Sequence, residues 1–204
     1  MSSLVVLTAL LGLFSLNQAT LPDCKELITP LTLEDDNKSI MGKWIFLEGI
    51  ADHDLFINIL KTVNSSWIEF GPRNLTLGNT GTLRQGNMLN GKCEFSAINT
   101  VIKDNIHYSN ETGILSTGKF LPSCPECLTM SFVSQFKNET IKSLYFFKRE
   151  SNPTESDMDL YWKQAECLGF KREVQYSYDG VTEFCHEAKE SSSDKKPSLE
   201  KSDQ

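Results

Sequence analysis

Between Lys43 and Arg149 one hydropathy pattern repeats. Short runs with alternating apolar positions, or rich in β-branched and aromatic residues, recur as KWIFLEGIA, SSWIEF, LTLGNTGTL, CEFSAINTVI, NIHYS, GILSTGKF, LTMSFVSQF and IKSLYFFKR. A period of two places successive side chains on opposite faces of an extended strand. Turn-forming residues separate the runs, among them Gly71-Pro72, Asn90-Gly91 and Lys103-Asp104-Asn105. About eight short strands at even spacing predict an all-β domain, either a sandwich or an antiparallel up-and-down barrel.

Two segments depart from that period. HDLFINILK, His53 to Lys61, predicts a short helix in the first long connection. TESDMDLYWKQAECLGF opens on Thr154 or Ser156 as capping residue and closes near Gly169. Within it Met158, Tyr161, Trp162, Ala165 and Leu168 share one apolar face. A helix that follows a complete set of strands is expected to pack against the outside of the sheet, and simple packing explains the face.

The two ends are different in kind. LVVLTALLGLF, Leu4 to Phe14, is uncharged and apolar. It has the length of a signal-peptide core and falls short of the ~20 residues that span a bilayer. A buried N-terminal strand is the competing reading, since no Lys or Arg precedes the block. Cleavage after Ala19 divides the chain into a signal peptide (1–19), a main domain (20–186) and a polar tail (187–204) expected to be disordered. No later segment is apolar over a spanning length, so a secreted product with no membrane span is expected.

Cysteine usage and sequons change the picture in the same direction. Cys24, Cys93, Cys124, Cys127, Cys167 and Cys185 all follow the cleavage site, an even number suited to an oxidising compartment. Asn-x-Ser/Thr acceptors at Asn37, Asn64, Asn74, Asn110 and Asn138 suggest a glycoprotein with those positions facing solvent. A net charge of -7 without a basic stripe argues against nucleic acid. There is no G-x-S-x-G, no H-E-x-x-H and no phosphate loop, so no catalytic residue, metal or cofactor is expected.

Gly42-x-Trp44 heads the first strand, with LPDC near the expected mature start, NGKC on a middle strand, YWKQAECL on the helix and FCHEAKE at the end. In this ordered set the chain resembles a lipocalin, over roughly Leu21 to Glu190. It is most similar to the branch of alpha-1-acid glycoprotein (orosomucoid) and apolipoprotein M, whose fish members bind organotin compounds and guanidinium toxins. The resemblance implies an eight-stranded antiparallel up-and-down barrel with one C-terminal α-helix packed outside. It implies disulfides Cys24–Cys167 and Cys93–Cys185. It also implies that Trp44 closes the lower end of the barrel under Arg149, and that Phe46, Leu144 and Phe146 are pocket residues.

Strand parity adds candidates. Glu48 shares the inward parity of Trp44 and Phe46, and an outward Cys93 turns Ser96 and Ile98 inward. SCPEC leaves three readings for Cys124 and Cys127: a redox pair, half a zinc site, or a local disulfide. A strand pattern follows the pair, and His53, His107 and His186 are the histidines on offer, so a local disulfide at a turn is preferred. The function implied is a secreted, monomeric, non-enzymatic glycoprotein that carries or sequesters small hydrophobic or amphipathic molecules. Apolipoprotein M offers basic residues to an anionic head where this chain has Ser96. Together with Glu48 that predicts neutral or cationic guests. Competing readings are a glycoprotein acting through protein partners and a lipocalin-type isomerase using a free thiol.

Overall fold

A computed structural model describes residues 23–34 and 37–187; the expected signal peptide and nearly all of the expected tail lie outside the described residues. The elements are α1 (Cys24–Ile28), β1 (Gly42–Ala51), α2 (Asp54–Leu60), β2 (Val63–Asn74), β3 (Thr80–Leu89), β4 (Lys92–Lys103), β5 (Ile106–Glu111), β6 (Ile114–Leu121), β7 (Cys127–Phe136), β8 (Glu139–Lys148), α3 (Glu155–Cys167) and β9 (Tyr176–Ser177). Strands β2 to β8 pair antiparallel in chain order. β1 closes the barrel by a division of labour: Gly42–Ile45 pair with β2, and Ile45–Ala51 pair with β8. The eight-stranded barrel with α3 outside is the architecture the sequence implied.

The alternation of each strand builds two cores. Inward residues, including Trp44, Phe46, Phe70, Phe120 and Met130, fill the barrel. Outward residues Leu47, Ile50, Leu121, Leu144 and Phe146 pack on Tyr161, Trp162 and Ala165 of α3. Burying each such side chain contributes ~1.5–3 kcal/mol, which is why α3 stays on the wall. Its first turn is fixed by a capping box between Thr154 and Asp157. Gly169, at φ +85°, lets the chain leave the helix.

The disulfides are Cys24–Cys167, Cys93–Cys185 and the local Cys124–Cys127. The first fastens α1 to the end of α3, and the second fastens the C-terminal segment to β4. Closing loops of this order stabilises by roughly 4–5 kcal/mol in the chain-entropy view.

Two expectations need correction, and the structure adds one short strand. The third strand runs from Thr80 to Leu89, whereas LTLGNTGTL had placed it at Leu75 to Leu83. The Asn74 side chain accepts from the Thr76 and Leu77 amides and bends Leu75–Leu77 into a 3-10 turn. The true strand is masked by its polar residues and by Gly86, where a Cβ would lie 2.5 Å from the Trp67 ring. The added strand, β9, sets two residues beside β1 at Glu48 and Gly49. Second, the sequon at Asn37 does not face solvent: the residue is 3% exposed, whereas Asn64, Asn74, Asn110 and Asn138 are exposed. Asn37 takes φ +53° to start the 3-10 turn that brings the Ile40 carbonyl to the Trp44 indole, and this turns its amide inward.

Candidate functional site: the barrel cavity

The closed end is built around Trp44. Its indole N–H donates to the Ile40 carbonyl at 2.8 Å. The Arg149 guanidinium lies 3.5 Å from the ring centroid and donates to the Lys43 carbonyl. Such a cation over an indole contributes ~0.5–2 kcal/mol. Gly42 stands at φ +84°, and a Cβ there would meet the same guanidinium at 3.4 Å. Flexibility next to the largest side chain thus serves a tight closure. Lys148, beside Arg149 in sequence, turns away and donates to Asp157 of α3 at 2.7 Å.

Above this plug the barrel holds a cavity of about 330 Å3. That is the lower range of small-molecule sites, ~300–1,000 Å3. Phe46 packs against Tyr145 at 5.4 Å and Phe147 at 5.1 Å to form the aromatic wall. Phe56, Ile59 and Leu60 of α2 cover part of the mouth, where Glu111 and Thr112 also stand. The β5–β7 side carries hydroxyls, with Ser116 and Ser134 bonded to each other at 2.8 Å.

Of the residues expected in the pocket, Phe46 and Ile98 line it. Leu144 and Phe146 do not: they face α3, and their neighbours Ser143, Tyr145 and Phe147 line the cavity. The register that sets Phe147 opposite Phe46 fixes that parity. Ser96 sits behind Gln85, whose amide donates to its hydroxyl at 2.7 Å, so Gln85 is the residue presented to the cavity.

Glu48 is displaced by a β-bulge between Phe46 and Glu48. A bulge inserts one residue and reverses the alternation beyond it. The inward place therefore falls to Gly49, where a Cβ would stand 2.5 Å from the Phe46 ring. Glu48 ends outside the barrel wall, 2% exposed, beside β9. Burial raises its carboxyl to about 7, opposed by a hydrogen bond from Ser177. The charge inferred for the pocket lies behind its wall.

His107, which the sequence offered only as a possible zinc ligand, belongs to the site. It lines the cavity, is 1% exposed, and neither ring nitrogen has a hydrogen-bond partner. Phe70 and Phe132 meet its ring edge-on, both at 89° and at 5.9 and 6.0 Å. Burial, then the charge of Arg73, lower its pKa to about 4, so the imidazole is neutral at pH 7. A signal existed: if the Asn110 sequon points outward on its strand, His107 and Ser109 point inward. The Ser143 hydroxyl is also buried beside Tyr145, whose phenol is raised to about 12 by burial, opposed by a hydrogen bond with Ser143.

The arrangement is suited to holding a small molecule that is apolar on one side and hydrogen-bonding on the other. The isomerase reading lacks its thiol, since all six cysteines are paired and none lines the cavity. Cys124, Cys127 and Asp157 lie together, but their sulfurs are joined and Asp157 is held by Lys148, so the group is no zinc site.

No protein-family model matches the chain. It is 27% identical over 201 residues to saxitoxin and tetrodotoxin-binding protein 1 of Takifugu pardalis, covering 86% of this chain and 47% of that protein. Protein 2 of the same fish is also 27% identical, with 89% and 49% covered. The chain thus spans about half the length of these relatives. Among solved structures it is similar to siderocalin Q83, at TM-score 0.63 and 12% identity over 75% of this chain and 96% of that one. Lipocalin 12 from rat epididymis matches at TM-score 0.60 and 12% identity, with 73% and 87% covered. Barrel topology, the Trp44–Arg149 closure and these likenesses together give the chain the lipocalin fold.

Proposed function

We propose that this chain is a secreted glycoprotein of the alpha-1-acid glycoprotein and apolipoprotein M branch that binds and carries or sequesters small amphipathic molecules, acting as a monomer. One observation carries the reading: a barrel closed at one end holds a cavity with an aromatic wall and an opposing set of hydrogen-bonding groups. The apolar leader, three disulfides and four exposed sequons support export. Among the described residues no helix is long and apolar enough to cross a membrane.

Guests are neutral or cationic. Among the described residues no Lys or Arg lines the cavity, and the one carboxylate in its lining, Glu111, is exposed at the mouth. A guanidinium toxin of the kind named for the fish relatives would place its charge there. Titration with the neutral fluorophore N-phenyl-1-naphthylamine, then displacement by decylamine, decanamide and decanoate, tests this reading. Fluorophore binding reversed by the amide and the amine supports it. No binding at all, or tightest displacement by the carboxylate, refutes it.

A further inference from the structure

Several polar groups in the cavity answer one another or a neighbour. Ser66 donates to Asn87, Ser116 pairs with Ser134, and Gln85 donates to Ser96. His107 has no such partner, although it carries one donor and one acceptor in its neutral form. Its ring is also held in place. Phe70 and Phe132 clamp it from two sides, and Phe132 reaches it only because residue 118 is glycine: a Cβ there would stand 2.6 Å from the Phe132 ring. A buried polar group kept rigid without a protein partner is costly to the fold. Here it stands in the wall of a binding cavity.

We propose that His107 is the specificity-determining residue of the cavity, anchoring the uncharged head group of an amphipathic ligand, a hydroxyl or primary amide that both donates and accepts. The inference rests on the cavity being a binding site and names the class of guest.

Arg73 narrows the choice. Its guanidinium is fixed by hydrogen bonds to the Asn79 and Thr100 carbonyls, and its charge acts on His107. An ammonium or guanidinium brought to the imidazole would face that positive charge. A cationic guest therefore binds the other way round, with its charge at Glu111. A carboxylate would be drawn by that charge, but it would give up its hydration for a neutral ring with a single N–H, in a lining that holds no Lys or Arg among the described residues. A hydroxyl or amide hydrogen-bonds one ring nitrogen, as donor or as acceptor, at no electrostatic cost. The alkyl or aryl body then lies against Phe46, Tyr145 and Phe147.

The test compares 1-octanol and n-octane as competitors of N-phenyl-1-naphthylamine on the parent, His107→Leu and His107→Gln. Octanol affinity should fall about tenfold or more in His107→Leu, the usual consequence of losing a buried hydrogen-bond partner. Octane affinity should hold or rise, and Gln, which keeps a donor and an acceptor, should restore much of the loss. Equal loss of both competitors, or of neither, overturns the anchoring while leaving the cavity as a binding site. Failure of the fluorophore to bind the parent removes the cavity reading itself. Should His107→Leu fail to fold, imidazole 15N resonances of the parent decide, since the chain has 3 histidines. The His107 nitrogens should shift when octanol, and not octane, is added; no shift at saturation overturns the proposal.

Discussion

Replacing Glu48 by Gln should stabilise the protein at neutral and alkaline pH and do almost nothing in acid. The carboxyl is 2% exposed and one of its oxygens has no hydrogen-bond partner. Its pKa is raised to about 7 in the folded state from 4.5. Below pH 4.5 both folded and unfolded chains are protonated there, and nothing is lost. Between 4.5 and 7 the folded state holds a proton that the unfolded state has released, so stability falls as pH rises. Above 7 the full cost stands, up to about 3 kcal/mol from roughly 1.4 kcal/mol per pH unit. His107 masks this in the parent. Its value is lowered to about 4 from 6.5, so its contribution is present above 6.5 and is lost as pH falls towards 4. The two slopes oppose each other, and the parent's own pH curve is uninformative. The difference between parent and Glu48→Gln removes the histidine, which both share. Urea unfolding followed by tryptophan fluorescence at pH 4.5, 6 and 8 should show that difference growing by 1–3 kcal/mol, an order-of-magnitude range for a buried carboxyl. A difference independent of pH would refute the burial of an ionisable Glu48. A changed order of amine, amide and carboxylate ligands would refute its place outside the cavity.

Two further outcomes follow from the closed end and the surface. Trp44→Ala should destabilise by ~3–5 kcal/mol, as for other buried large aromatics; a variant that melts with the parent would show that Trp44 closes nothing. Site mapping by peptide mass spectrometry should find glycans on exposed sequons and none on Asn37, and a glycan at Asn37 in folded protein would contradict its inward amide.

The sequence carried the barrel because hydropathy alternation, turn residues and the ordered GxW and cysteine motifs are local signals. It carried α2 and α3 for the same reason, though not the short α1, and it narrowed the cap of α3 to Thr154 or Ser156, of which Thr154 serves. What it could not carry was register. Leu144 and Tyr145 are both apolar enough to face inward, and only pairing with β1 decides between them. The run TGTLRQGNML hides a strand because Gly86 exists to accommodate Trp67, a residue on another strand. Asn37 reads as a surface sequon because its burial depends on a left-handed turn that no triplet reveals.

The bulge in β1 shows why register matters for function here. Strict alternation would put a carboxylate in the cavity and make charge the selecting principle. One extra residue moves Glu48 behind the wall and puts Gly49 inside, where the Phe46 ring takes the space a side chain would have filled. Below the mouth, where Glu111 stands, the inner surface is left with apolar side chains, hydroxyls, amides and a neutral imidazole. Discrimination then depends on whether a guest satisfies the polar atoms it covers. A site built to hydrogen-bond a head group rejects the analogue lacking it more strongly than an apolar wall rejects a missing methylene. On that reasoning a change at His107 should alter which molecules bind, whereas a change at Glu48 should alter only the pH dependence of the fold that binds them.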